Sequence, residues 1–255
     1  MDLPEIPVQR LFLCIAFLAL AACATQQTQT KPVNTPTFKF RTVPMRADGN
    51  PVINPDVLKA IEQLDMPAPI KTLTYVELAG TVNYPKESRP ERTEYFLSTD
   101  PDTRQLRFIH KSEHLNGRKI TWRGLLMLSG VEQATMSRNT VVIDSLSFRG
   151  DWRHMPVGSQ LGYTRQGSNT SNLIGTLGTE PRVFDCRIDR ELPAKQLNPA
   201  LSGQAKAMSC QEQLPSKRLL PANHYYYLVD YGFFYHASTD KHDGISIDMH
   251  VQSVK

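Results

Sequence analysis

The sequence predicts a mainly β fold: an antiparallel, meander-like sheet or pair of sheets, curved or sandwich-like, with one short N-terminal helix. Three observations lead there. From Ile70 onward, apolar and polar residues alternate with a period of two in one segment after another. Turn-forming groups such as Asp100-Pro101-Asp102, Asn116-Gly117 and Arg138-Asn139 separate those segments. The connections are short, which favours antiparallel neighbours, because parallel ones need crossovers of about a dozen residues. No repeating strand-helix unit interrupts the pattern.

The elements follow in order. Residues 37–43 alternate well enough for a first strand. Asn54-Pro55-Asp56 has the order of a helix start, with Asn as N-cap and Pro at the first helical position. Val57, Leu58, Ile61 and Leu64 then fall at helical spacing and Pro67 and Pro69 stop the run, so a helix is expected over 55–65. Strands are expected at 72–83, 94–99, 105–110, 119–129 and 140–148, and a second set starts after Arg149-Gly150-Asp151 with 161–166. Residues 167–178, rich in Ser, Asn and Gly, read as a mobile loop, and 182–188 and 206–211 as two strands bearing one cysteine each.

Seven aromatic residues, Tyr225, Tyr226, Tyr227, Tyr231, Phe233, Phe234 and Tyr235, crowd into residues 225–235, and Ile245, Ile247, Met249 and Val251 return with polar residues between them. Pairing Tyr235 with Ile247, Phe233 with Met249 and Tyr231 with Val251 puts all six on one face, which predicts a hairpin with a loop of about five residues. Tyr225, Tyr227, Tyr231, Phe233 and Tyr235 are the candidate binding surface, since such side chains present large areas with a polar handle. The competing reading is a core strand, because Tyr226, Leu228 and Phe234 make the opposite face apolar as well.

Composition narrows the function. Lys plus Arg number 29 and Asp plus Glu 25, a net +4 spread without any block of like charges, which argues against nucleic acid. His110-Lys111-Ser112-Glu113-His114 spells H-x-x-E-H, a zinc-protease signature that requires a helix to put both histidines on one face. Leu106, Phe108 and His110 instead alternate as a strand does. His236, Asp240, His242, Asp243, Asp248 and His250 hold ligand-type atoms, but the predicted hairpin spreads them along its length. Neither G-x-S-x-G nor a phosphate-binding glycine loop occurs. No catalytic residue, metal or cofactor is therefore implied.

Residues 11–22 carry no charge and run into Cys23 as LFLCIAFLALAAC. That is shorter than the ~20 residues of a membrane span and suits the apolar core of a secretory signal. The segment, ending Leu20-Ala21-Ala22-Cys23, resembles the signal peptide and lipobox of bacterial lipoproteins, although its leader carries Asp2 and Glu5 against Arg10 where such leaders are usually positive. The resemblance implies that residues 1–22 are removed and that Cys23 is acylated. With Ala24 in place of the Asp that retains family members at the inner membrane, it implies the outer membrane, facing the periplasm. Residues 23–36, rich in Thr and Gln, read as a flexible tether. Residues 37–255 read as a β-rich domain, with a subdivision near 150–156 left open. With Cys14 in the removed segment and Cys23 acylated, Cys186 and Cys210 remain, and in an exported protein they read as one disulfide rather than a free nucleophile. The expectation is a non-catalytic binding or envelope-assembly module that meets the membrane through its lipid and an envelope protein or apolar ligand through its sheet. The alternatives are a carrier of a lipid or other apolar molecule and a metal-dependent envelope hydrolase.

Overall fold

A computed structural model describes residues 41–113, 115–178 and 180–255. Among these residues the fold is mainly β and antiparallel, with one α-helix, α1 (Pro55–Glu62), followed by β1 (Tyr75–Asn83), β2 (Ser88–Thr99), β3 (Leu106–Ser112), β4 (Asn116–Trp122), β5 (Leu126–Gln133) and β6 (Arg138–Arg149). The remaining strands are β7 (Gln160–Ser171), β8 (Gly175–Leu177), β9 (Arg182–Pro193), β10 (Gln204–Gln213), β11 (Asn223–Leu228), β12 (Phe233–His242) and β13 (Ile245–Val254). Strands β1 to β7 pair with their sequence neighbours, β7 pairs on to β9, and β9 to β13 continue as a second meander. Strand β13 pairs with β1, so twelve strands close into a ring from which β8 hangs on the end of β7. The strands on either side of 150–156 belong to one sheet, because β6 and β7 pair from Asn139–Ser171 to Arg149–Gly162.

Helix α1 begins as its sequence requires, with the Asn54 side chain accepting from the Asp56 amide and Pro55 in the first turn. It ends earlier than the apolar spacing suggests, since Asp65 already has a left-handed backbone (φ 45°). Val57 and Ile61 face inward, and the Asn54 amide donates to the carbonyl of Asp144 on β6 at 2.7 Å.

Two apolar cores hold the ring together. The first gathers Val57 and Ile61 with Trp122, Leu128, Trp152, Tyr163, Ile188 and Met208; the second gathers Val76, Leu97, Phe108, Leu228, Met249 and Val251. Strands β11 and β12 serve both. Tyr227 and Phe234 enter the first core, while Leu228, Phe233 and Tyr235 enter the second. On β9 the exposed positions Asp185, Arg187 and Asp189 alternate with the buried Phe184, Cys186 and Ile188.

Several local expectations change. Residues 119–129 are not one strand but β4 and β5, joined by a tight turn with positive φ at Arg123 (51°) and Gly124 (84°). The turn tip crosses to β12, where the Phe234 amide donates to the Arg123 carbonyl at 2.7 Å. Residues 167–178 are not a loop: β7 runs through to Ser171 and turns into β8, with Ser168 and Ser171 buried. The last hairpin has a two-residue turn, Asp243-Gly244, with φ values of 50° and 82°, and pairs Thr239 with Ile247 and Ser238 with Asp248. The register is thus four residues from the expected one, an even shift that leaves Phe233, Tyr235, Met249 and Val251 in the same core. Residues 41–43 are not in a strand, and 37–40 lie outside the described residues.

Candidate functional site

Beside the aromatic strands, a groove of about 620 Å³ runs across β9 to β13. Its floor follows from cross-strand pairing. Tyr226 on β11 stands directly opposite Tyr235 on β12, with ring centroids 5.5 Å apart, and Ala207 on β10 lies opposite Tyr226. Ala207 and Ala237 are small, so space opens between the tyrosines and Met249 that larger residues would fill. The rim is polar. Arg190, His224, Asp248 and His250 surround the opening, and Leu197, just after the 3₁₀ turn Ala194–Gln196, leans over one side.

Hydrogen bonds and charge give this groove its character. Arg190 donates to the Tyr226 hydroxyl at 3.4 Å, and His224 Nε2 lies 2.8 Å from Asp240 Oδ1. Burial, reinforced by the neighbouring Tyr226, pushes the Tyr235 hydroxyl well above the usual phenol range, so it remains a protonated donor at any physiological pH. The arrangement offers aromatic and aliphatic contact below and hydrogen bonding at the edge, which is the composition of a ligand-binding cleft, and its volume falls in the range of about 300–1,000 Å³ typical of such sites.

The five predicted surface residues do not form one exposed face. Tyr227, Phe233 and Tyr235 are 3%, 2% and 4% exposed, and Tyr225 and Tyr231 are half-buried. Tyr225 and Tyr227 pack with the first core, Tyr231, Phe233 and Tyr235 with the second. The physical reason is the 3₁₀ turn Val229–Tyr231, which sits between β11 and β12 and makes them paired strands of a shared wall instead of one continuous strip. Tyr225 and Tyr235 still reach the groove lining. Tyr226, Ala207, Ala237 and Met249 lie outside the predicted surface; Tyr226 shares the groove with Tyr235, which stands opposite it across the β11–β12 pair.

His110 lies on strand β3, buried and stacked on Tyr95 with centroids 5.3 Å apart, so the helix on which H-x-x-E-H chemistry depends is not formed. His114 lies outside the described residues, as do Cys23, the lipobox and the tether. The C-terminal polar residues are dispersed. His236 bonds with Asn223 and Thr239, Asp240 with His224, and His242 lies against Asp243. Among the described residues, no group of three or more His, Cys, Asp or Glu is placed to hold a metal ion. Cys186 and Cys210 are directly opposite each other on β9 and β10 and form the disulfide inside the first core.

Set against known proteins, the chain matches no family model, no curated protein and no solved structure.

Proposed function

We propose that this chain is an exported binding module, anchored by lipid at Cys23 on the periplasmic side of the outer membrane, that holds a small ligand or an envelope partner in the groove beside Tyr226 and Tyr235. The observation that carries the reading is the groove itself: an apolar floor with a polar rim, set on a sheet whose other face packs into the first core. Export is supported by the Cys186–Cys210 bridge, since disulfides persist in oxidising compartments, and by the lipobox-like Leu20-Ala21-Ala22-Cys23. A carrier of an apolar molecule is the second reading, favoured by the floor of Tyr226, Tyr235, Ala237 and Met249.

Two measurements test it. Radiolabelled palmitate is expected to enter the wild-type protein and not Cys23→Ser; equal labelling removes the anchor. A photoreactive benzophenone side chain at Ala207, irradiated in the native envelope, is expected to yield a cross-linked species that the same probe at exposed Lys86 does not. The groove reading fails when both positions give the same products, or when Ala237→Trp, which fills the floor, leaves the Ala207 product unchanged.

A further inference from the structure

Away from the groove, we infer that a second cavity, between β5–β6 and β7–β9, is a site for a monoanionic amphiphile: an apolar chain ending in a carboxylate. The cavity measures about 400 Å³. Met127, Val142, Ile143 and Leu177 form its apolar wall, and Arg165 and Arg182 stand at its polar side.

The two arginines are directly paired across β7 and β9, so two like charges share one face, an arrangement that destabilises a sheet unless something neutralises them. Arg182 is neutralised within the chain, because its Nη1 lies 2.6 Å from Glu212 Oε1. Among the described residues Arg165 forms no ion pair: its Nε is buried with no hydrogen-bond partner, and its guanidinium lies over the Phe184 ring, 5.2 Å from the centroid. A buried donor left unmade costs about 1–3 kcal/mol, and the guanidinium that carries it belongs to the cavity lining beside the apolar wall, where an added acceptor would pair with its fork. A carboxylate matches that fork in plane and spacing.

Charge selects the ligand further. Glu132, also in the lining, is already paired with Lys119 at 2.6 Å, and exposed Glu180 stands at the rim. Arg165 is then the one cation of the lining without an ion-pair partner among the described residues, which suits a single negative charge. A dianionic phosphate monoester would bring a second charge close to two glutamates. The apolar wall continues to the surface through half-exposed Leu177, so a chain has a way out.

The test uses the full chain carrying Cys23→Ser, so that no acyl group competes, and sodium decanoate below its micellar range. Titration calorimetry is expected to show saturable 1:1 binding, weakened at least tenfold in Arg165→Gln, with decanol bound no better by wild type than by that variant. In the nitrogen-proton correlation spectrum, the Arg165 Nε–H signal, assigned by its absence from Arg165→Lys, is expected to shift as decanoate is added, a readout independent of the Gln variant's folding. The site is refuted by wild type that does not bind decanoate, by equal affinity in Arg165→Gln, by equal affinity for decanol, or by an Arg165 signal that does not move.

Discussion

Arg46 and Asp100, 54 residues apart in sequence, meet as a two-pronged ion pair with N···O distances of 3.0 and 3.2 Å, and Asp100 has no exposed surface. Arg107 adds a contact at 2.8 Å, and the Thr103 amide and hydroxyl donate to the same carboxylate. The pair fastens the segment ahead of α1 to the β2–β3 turn. Asp100→Asn keeps the shape but removes the charge from between two arginines. Because breaking a buried pair on one side leaves its partners uncompensated, a loss of about 3 kcal/mol is expected in urea unfolding. A change under about 0.5 kcal/mol, the size of an ordinary surface substitution, would show that the pair is incidental.

Acid should weaken the fold in two stages. Burial, with Lys119 adding to it and Glu132 opposing, pushes His110 down to about 4 from 6.5, and burial lowers His236 too. A histidine held neutral in the fold contributes stability above its unfolded value, and that contribution drains away as pH falls from 6.5 toward 4. For Asp100, burial acts to raise the carboxyl, but hydrogen bonds from Arg46, Arg107 and Thr103 outweigh it and hold it well below the usual carboxylate range. Its contribution is complete above about 3.9, the unfolded value, and is lost below it. The urea midpoint is therefore expected to decline from pH 6.5 and then more steeply under pH 4. His110→Phe should flatten the first decline, and an unchanged slope in that variant contradicts the assignment.

Gly124 sits where a side chain cannot. A Cβ there would lie 2.4 Å from the Phe234 carbonyl and 2.8 Å from the Phe233 ring, on a backbone with φ of 84°. Gly124→Ala should cost about 2–3 kcal/mol by combining left-handed strain with overpacking against β12. Thermal unfolding followed by near-ultraviolet circular dichroism, which reports on Trp122 next to the turn, measures it. A variant as stable as wild type would mean that the turn does not press on β12.

The Cys186–Cys210 bridge closes a loop across 24 residues of sequence and lies inside the first core. Replacing both cysteines by alanine should lower stability by about 3 kcal/mol on the chain-entropy account. Reduction of the native protein should be slow without denaturant, because both sulfurs are buried. Rapid loss of the bridge to a mild thiol at neutral pH would contradict that burial.

Much of the sheet was legible because alternating apolar residues determine which face a strand buries, and β1 to β3, β6 and β9 to β13 all carry that alternation. Register is a different quantity. In the last hairpin the apolar pattern is satisfied equally by pairings two or four residues apart, and the turn decides, as Asp243-Gly244 does here. The Arg123-Gly124 turn left no such signal, since Arg is an uncommon residue at positive φ. Its guanidinium is held by the Tyr227 hydroxyl at 2.9 Å and the Pro67 carbonyl at 2.6 Å, contacts that only the tertiary structure supplies. Residues 167–171 hid for a related reason: Ser168 and Ser171 are buried polar residues, and composition alone reads them as loop. The groove was half-visible. Its tyrosines are conspicuous, but the space above them depends on Ala207 and Ala237, and a small residue announces nothing until its neighbours are known.

The pairing of β1 with β13 places the two strands most distant in sequence side by side. Every other seam of the ring can zip as soon as adjacent segments meet, but this one must wait for Ile245–Val254 to be synthesised and to arrive. Until then β1 and β12 each present an unpaired row of amides and carbonyls, an invitation to sticky edge-to-edge association. A chain built this way is vulnerable while it folds and well guarded afterwards, so a chaperone that shields bare strand edges would matter to its birth and be irrelevant to its working life.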